Sequence, residues 1–157
     1  MKLDQARDPG ELRILSDLHA GYELPSVKTR LRSAEARPRL DVITEPIAWY
    51  DGDSPWGGAV ANPGLMVHIM VNVQEGMRLK IPAVGLYGAI ELRNVHGPVF
   101  AEHDYTASGK ILALGTTPKT EYMWYESNLY EPGDGTHVAQ MLMMLRFMKA
   151  SSRAWGE

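Results

Sequence analysis

The segment from Asn62 to Gly76, NPGLMVHIMVNVQEG, constrains the fold more than any other part of the chain. Asn62 is a favoured N-cap residue, Pro63 suits the first helical position, and Gly76 suits the C-terminal end of a helix. Apolar residues occupy nearly every side of the helix that these signals delimit. A helix of this kind is buried in a protein core, so we expect the rest of the chain to pack around it.

One stripe interrupts the apolar surface of this helix. Gly64, His68 and Asn72 are spaced four residues apart, which places them on the same side. A glycine-rich turn at Gly57 and Gly58 comes shortly before the helix. We expect the chemistry of this protein to take place along that polar stripe.

Length and composition limit the other possibilities. With 157 residues the chain is expected to form one domain, residues 1–157, with a flexible arm over residues 1–10. The net charge of −3 gives no reason to expect nucleic acid as a partner. No apolar run approaches the ~18 residues that a membrane span needs, so we expect no membrane partner. The sequence has no cysteine and its first residues do not resemble a signal peptide, which together predict a cytoplasmic protein.

The second half of the chain has the pattern of an antiparallel β meander. We expect strands over residues 84–95, 98–104, 109–116, 119–130 and 136–149. The sequence PGDG at 132–135 predicts a hairpin before the last strand. Residues 136–149 are apolar on both faces, so one face would pack on the helix and the other on a second subunit or layer. Methionine and leucine also favour a helix there, but the preceding turn and aromatic strand favour a strand.

A basic segment, SVKTRLRSAEARPR, occupies residues 26–39. Lys28, Arg30 and Arg32 alternate with other residues, and in a strand they would line one face. Two interpretations remain open. The segment is either a solvated sheet edge whose charges prevent aggregation, or a patch that binds the phosphates of a carrier such as coenzyme A.

Three segments resemble the MaoC-like hydratases and dehydratases. LRILSDLHAGYELP resembles the entry of that family, WGGAVANPGLM its passage into the central helix, and HGPVFAEHDYTASGKILAL part of its sheet. The order of elements, one central helix followed by antiparallel strands, is that of the hot-dog fold. We therefore expect an α+β hot-dog fold, in which an antiparallel β-sheet wraps around one central buried α-helix.

The resemblance implies a function as well as a fold. Members of the family bind an acyl thioester in a tunnel at a dimer interface and add or remove water at the double bond next to the thioester carbonyl. A backbone amide at the start of the central helix, here Gly64, polarises that carbonyl; the unpaired N–H groups and the dipole of a helix N-terminus suit this task. The expected partners are acyl-CoA, an acyl-carrier-protein-bound substrate or a free small molecule, with a homodimer or higher homo-oligomer as the assembly and no cofactor.

The active-site loop departs from the family pattern. The family carries its acidic residue and its histidine in a loop of the form Gly-Asp-x-Asn-Pro-x-His. Asp53 matches the aspartate of this loop, whereas Trp56 stands near the place of the histidine. Pro63 precedes Gly64 where the family has histidine. Gly52 and Asp53 thus retain the Gly-Asp of the loop, Pro55 roughly matches its proline, and near the helix only the Gly64 amide is retained.

Other residues have to supply the acid and base. Because imidazole titrates near neutral pH, we predict His68 as a catalytic residue, together with Asp53 or Asp51 in the preceding loop. The predicted substrate-binding residues are Gly64, Leu65, Trp56, Tyr50 and Asn72. Structural roles are the alternatives: a hydrogen-bonded core histidine, turn-capping aspartates and packed aromatic rings.

A second ionisable cluster comprises His96, Glu102, His103 and Asp104. Its spacing is that of no known metal site, so we predict no metal. The sequence thus favours a lyase that acts on an acyl thioester or polyketide-like intermediate by dehydration, hydration, isomerisation or related proton transfer. The alternatives are a hot-dog thioesterase, in which a carboxylate positions the hydrolytic water, and a non-catalytic acyl-binding module.

Overall fold

The computed structural model describes residues 10–45, 47–77, 79 and 81–156. The predicted arm, residues 1–10, therefore lies outside the described residues except for Gly10. The strands are β1 (Glu23–Arg30), β2 (Gly85–Asn94), β3 (Asp104–Thr116), β4 (Thr120–Tyr130) and β5 (His137–Met148), and the α-helices are α1 (Ser33–Leu40) and α2 (Pro63–Met70). Short 3₁₀ helices cover Ala48–Asp51, Val71–Gly76 and Lys149–Ser151. In this part of the chain no helix is long and apolar enough to cross a membrane.

The five strands form one antiparallel sheet in the order β1-β3-β4-β5-β2. One face of the sheet packs on α2. The central strands contribute to that face side chains with almost no exposure, among them Ile111, Tyr125 and Met143, which lie opposite one another in the sheet register. The predicted hairpin is present, since β4 and β5 pair along their length beside the 132–135 turn. The prediction of strand rather than helix over 136–149 is therefore confirmed.

The central helix begins and ends where the sequence predicts, although its last turns tighten into a 3₁₀ helix up to Gly76. Its buried residues are Leu65, Met66, Ile69, Met70 and Val73. The stripe of Gly64, His68 and Asn72 is not buried. The prediction of a buried helix is thus confirmed for the side of α2 that faces the sheet. The polar stripe of α2 lies on the other side, at a groove beside α1 and β1.

Two parts of the secondary structure differ from the sequence prediction. The predicted strand over 98–104 is wrong: this segment makes a single bridge, Val60 to Phe100, and then turns through Glu102, whose φ is 56°. Helix α1 was not predicted, because its N-cap position holds Arg32, which makes no capping hydrogen bond. The Glu102 carboxylate substitutes for that cap and accepts the Ser33 N–H at 2.6 Å.

The side chain of Asn62 caps α2, accepting the Leu65 N–H at 2.9 Å. We expect Asn62→Ala to lower the free energy of unfolding by about 1 kcal/mol, because the cap is lost. Asn62→Asp keeps the acceptor and adds a negative charge at the helix N-terminus, so it should retain stability. Urea denaturation followed by circular dichroism measures both variants. An equal loss in Asn62→Asp would show that capping is not the cause.

Candidate functional site

The first turn of α2 presents an N–H group that has no protein acceptor. Pro63 has no N–H, and Asn62 accepts the N–H of Leu65. Within the described part of the chain, no hydrogen bond uses the N–H of Gly64, and Gly64 is exposed. A Cβ added at Gly64 would meet only the Asn62 side chain, at 3.4 Å. The helix N-terminus therefore offers a donor and a positive dipole to a group outside the protein.

A cavity of about 550 Å³ lies in front of this turn. Residues 62–65 form one wall, and residues 42–45 face them together with Arg39 and Tyr50. Residues 42–45 follow α1, so the end of α1 and the start of α2 hold the two walls in place. The predicted substrate-binding residues Gly64, Leu65 and Tyr50 all line this cavity.

Three polar side chains in this cavity were not among the predicted site residues. Arg39 supplies a cation, Glu45 a carboxylate and Thr44 a hydroxyl. Glu45 is exposed, so its carboxylate is accessible to a ligand. The signal for Thr44 and Glu45 in the sequence was that they form a polar pair inside the otherwise apolar run VITEPI, whereas Arg39 belongs to the basic segment 26–39. A carboxylate across a cavity from a helix N-terminus can take a proton from a substrate whose oxygen the N–H binds.

The two predicted aspartates lie elsewhere. The Asp51 carboxylate accepts a hydrogen bond from the Arg37 guanidinium at 3.0 Å. Asp51 also lines a smaller cavity of about 150 Å³. Asp53 is exposed and, like Asp51, does not line the cavity in front of Gly64. Trp56 is 53% exposed and packs edge-to-face against Trp49, with the ring centroids 5.3 Å apart. The structure therefore separates these three residues from the Gly64 amide.

His68 lies one turn beyond Gly64, on the same side of α2, and its side chain is 33% exposed. Its Nδ1 is 3.4 Å from a guanidinium nitrogen of Arg39, and its Nε2 is 4.0 Å from the Glu35 carboxylate. Because a guanidinium can only donate, the neutral ring accepts at Nδ1 and carries its proton on Nε2, facing Glu35. Arg39 stands between the imidazole and the Gly64 cavity, which His68 does not line.

Asn72, the third residue of the stripe, is held by the neighbouring strand. Its Nδ2 donates to the hydroxyl of Thr29 at 3.0 Å, and that hydroxyl donates to the carbonyl of Ile69 at 3.2 Å. These bonds tie β1 to the end of α2. Asn72 lines a cavity of about 570 Å³ that it shares with His68.

The second ionisable cluster is divided between two sets of partners. Glu102 and Asp104 both bind Arg30, at 2.9 Å and 3.5 Å, and these contacts raise the pKa of the Arg30 guanidinium. His103 pairs with Glu131 at 2.7 Å instead. Among the described residues, no three His, Cys, Asp or Glu side chains are grouped so as to hold a metal ion.

A five-stranded antiparallel sheet packed on one central helix, with a cavity at the start of that helix, is a hot-dog protein. The fold predicted from the sequence is therefore confirmed. No protein-family model and no curated protein matches the chain.

Solved structures that are similar to this chain belong to the same fold. A monoamine oxidase regulatory protein from Archaeoglobus superposes with a TM-score of 0.66 at 13% identity, over 92% of this chain and 97% of that one. A MaoC-like dehydratase from Rhodospirillum rubrum gives 0.62 at 16% identity, over 86% and 96%. An (R)-hydratase from A. caviae involved in PHA biosynthesis gives 0.60 at 15% identity, over 82% and 96%. At these identities the similarity establishes the shared hot-dog fold of MaoC-like proteins.

Proposed function

We propose that this chain is a MaoC-like lyase that dehydrates or hydrates an acyl thioester or polyketide-like intermediate, or moves a proton within it. The observation that carries the proposal is that the Gly64 N–H, which has no acceptor among the described residues, and Glu45 line the same cavity. Two of the similar structures, a dehydratase and an (R)-hydratase, support this class of reaction.

The proposed step uses one donor and one carboxylate. The Gly64 N–H binds the thioester carbonyl oxygen, and Glu45 takes the proton from the carbon next to that carbonyl. The enolate oxygen that forms is stabilised by the N–H and the helix dipole. In dehydration, the protonated Glu45 returns the proton to the departing hydroxyl, which leaves as water. In isomerisation, it returns the proton to another carbon of the substrate.

His68, Asp51 and Asp53 remain candidate catalytic residues in this scheme. Because Arg39 lies between His68 and the Gly64 cavity, the imidazole would act by orienting the guanidinium rather than by touching the substrate. The two aspartates would need a movement of the 48–58 segment to approach the Gly64 amide.

We expect Glu45→Gln to lower kcat by about 10²–10⁴-fold, the usual contribution of a general acid–base group. The substrates are 3-hydroxyacyl and 2-enoyl thioesters of N-acetylcysteamine, followed by the absorbance of the enoyl thioester. Glu75→Gln, an exposed carboxylate after α2, is the matched control and should be active. Full activity of Glu45→Gln would overturn the assignment of the base, and the same assay on His68→Ala and Asp53→Asn tests the other candidates.

A thiol reagent in the same assay separates the alternatives. Release of free thiol without change at the double bond would indicate a thioesterase. Binding of an acyl thioester without either reaction would indicate a non-catalytic module.

We further propose that the working assembly is a homodimer formed through β2. This strand lies at one edge of the sheet, and two of its apolar side chains, Tyr87 and Ile90, are exposed although they point to the α2 side. Tyr87 is 62% exposed and Ile90 is 41% exposed. An exposed apolar edge strand pairs readily with another strand, and a second copy of β2 would cover both side chains.

A further inference from the structure

Arg39 differs from the neighbouring arginines in the partners of its guanidinium. Arg30 and Arg37 each pair with two carboxylates. Over the described ranges, by contrast, no ion pair joins Arg39 to a carboxylate, although Arg39 and Glu45 line the same cavity. The proposed reaction cavity therefore contains a cation whose charge no side chain of the described chain neutralises.

Helix α1 offers Arg39 a local partner that Arg39 does not use. Glu35 comes four residues before Arg39, the spacing at which a glutamate and an arginine on a helix favour an ion pair. Arg37 and Asp41 do pair at this spacing, at 2.7 Å. The Glu35 carboxylate instead lies 4.0 Å from Nε2 of His68. The Arg39 guanidinium is thus left unpaired beside a carboxylate that could have paired with it.

His68 holds this guanidinium without neutralising it. Its Nδ1 accepts a hydrogen bond from an Arg39 nitrogen at 3.4 Å, while its Nε2 faces Glu35. A guanidinium has five N–H donors and this bond uses one of them, so the others stay available. Arg39 lines the Gly64 cavity and also a cavity of about 430 Å³ that Glu35 and His68 share. The imidazole therefore fixes the cation at the junction of the two cavities.

The distance between this cation and the Gly64 N–H suits a short ligand. His68 follows Gly64 by four residues, which amounts to about 6 Å of rise along α2. The Arg39 nitrogen lies 3.4 Å from the His68 ring, and Arg39 lines the cavity in front of Gly64. A molecule whose carbonyl oxygen binds the Gly64 N–H thus finds the guanidinium about one helical turn away.

We propose that Arg39 binds a carboxylate at the far end of the acyl group, so that the substrate is the thioester of a short dicarboxylic acid. This inference rests on the proposed function and adds to it the class of acyl group. A guanidinium matches a carboxylate with two parallel hydrogen bonds. The Gly64 N–H binds the thioester carbonyl, Arg39 binds the terminal carboxylate, and His68 is a positioning residue that orients Arg39. A neutral acyl group would leave the guanidinium without a partner.

Calorimetric titration of the intact protein with saturated thioesters tests this subsite. The probes are the glutaryl and adipyl thioesters of N-acetylcysteamine, the methyl esters of their free carboxyl groups, and glutarate. Saturated acyl groups without a hydroxyl undergo neither hydration nor dehydration, so the titration measures binding alone. We expect at least one of the two acids to bind about tenfold or more tightly than its methyl ester, because the carboxylate adds charge-assisted hydrogen bonds.

Arg39→Gln should remove most of the gain that the carboxylate gives. Arg32→Gln is the matched control and should retain the gain, because Arg32 is an exposed arginine at the other end of α1 that does not line the Gly64 cavity. Equal affinity of each acid and its methyl ester, or the same loss in both variants, would overturn the proposal. Tighter binding of glutarate than of the glutaryl thioester would also overturn it, because the cation would then serve a free acid.

His68→Leu tests the positioning role. This variant removes the acceptor of the Arg39 hydrogen bond, so it should reduce the carboxylate gain several-fold and leave the affinity for the methyl esters unchanged. A purely structural role would change both affinities alike. The double variant with Arg39→Gln should lose no more of the gain than Arg39→Gln alone. Additive losses would overturn the positioning role.

The two proposals can fail separately. If the wild-type protein turns over a neutral enoyl thioester but the carboxylate adds no affinity, only the dicarboxylic substrate is wrong. If the carboxylate gain is present and depends on Arg39 while no thioester is turned over, only the reaction is wrong.

Discussion

Glu121→Ala is expected to lower the free energy of unfolding by about 3–5 kcal/mol, because it leaves several buried donors without an acceptor. Glu121 is fully buried on β4. Its carboxylate accepts the backbone N–H groups of residues 13, 14 and 15 at 2.9–3.1 Å, and the indole Nε1 of Trp155 at 2.6 Å. One side chain therefore fixes both the N-terminal segment and the C-terminal turn to the sheet.

The matched control is Glu126→Ala on the same strand. Glu126 is half-buried and lies on the opposite face of the sheet from Glu121, where it pairs in register with Lys110 of β3. Surface substitutions of this kind usually change stability by about 0.5 kcal/mol or less. Urea unfolding at pH 7, followed by circular dichroism, compares the two variants with the wild type. A loss in Glu121→Ala no larger than in Glu126→Ala would contradict the bridging role of this carboxylate.

The pH dependence gives a second test of the same carboxylate. Burial disfavours the charged form of Glu121, but the N–H donors outweigh it and lower the pKa of Glu121 below its ordinary value. A depressed native pKa contributes stability above the pKa of the unfolded chain, and that contribution is lost as the pH falls through the native pKa. The stability difference between wild type and Glu121→Gln should therefore shrink as the pH is lowered below about 4.5.

Local signals account for the parts of the fold that were predicted. Asn62 and Pro63 define the start of α2, and the 132–135 turn defines the β4–β5 hairpin. Helix α1 lacks such a signal, because its cap comes from Glu102, which lies 69 residues away from Ser33 in the sequence. A tertiary contact that replaces a local cap cannot be found from the local sequence.

Only part of the candidate site could be predicted from the sequence, because one of its walls depends on tertiary contacts of α1. Gly64 is defined by the start of α2, which the sequence marks clearly. Glu45 faces Gly64 only because α1 and the following segment fold back toward α2, and α1 was not predicted. Asp51 was predicted as a possible acid or base in the loop before α2, yet it pairs with Arg37 of that unexpected helix. Residues on helix α2 were therefore easier to place than residues on the loop opposite it.

Ile90→Lys is expected to weaken self-association by about 10²–10⁴-fold, which follows from placing a charge where two copies of an apolar side chain would be buried. Ile90 lies opposite Met143 on the α2 side of the sheet and remains 41% exposed in one chain. Burying an isoleucine contributes about 1.5–3 kcal/mol, and a symmetric dimer buries it twice. Sedimentation velocity over a range of concentrations measures the dissociation constant.

Val42→Lys is the control for this substitution, because Val42 is more exposed, at 78%, but lies outside the sheet. It should leave the dissociation constant within a few-fold of the wild type. Circular dichroism must show that Ile90→Lys keeps its β-structure, since an edge strand with an added lysine remains compatible with a folded sheet. If folded Ile90→Lys associates as strongly as the wild type, β2 is not the interface. Its exposed apolar side chains would then have to be covered by something other than a second β2 strand.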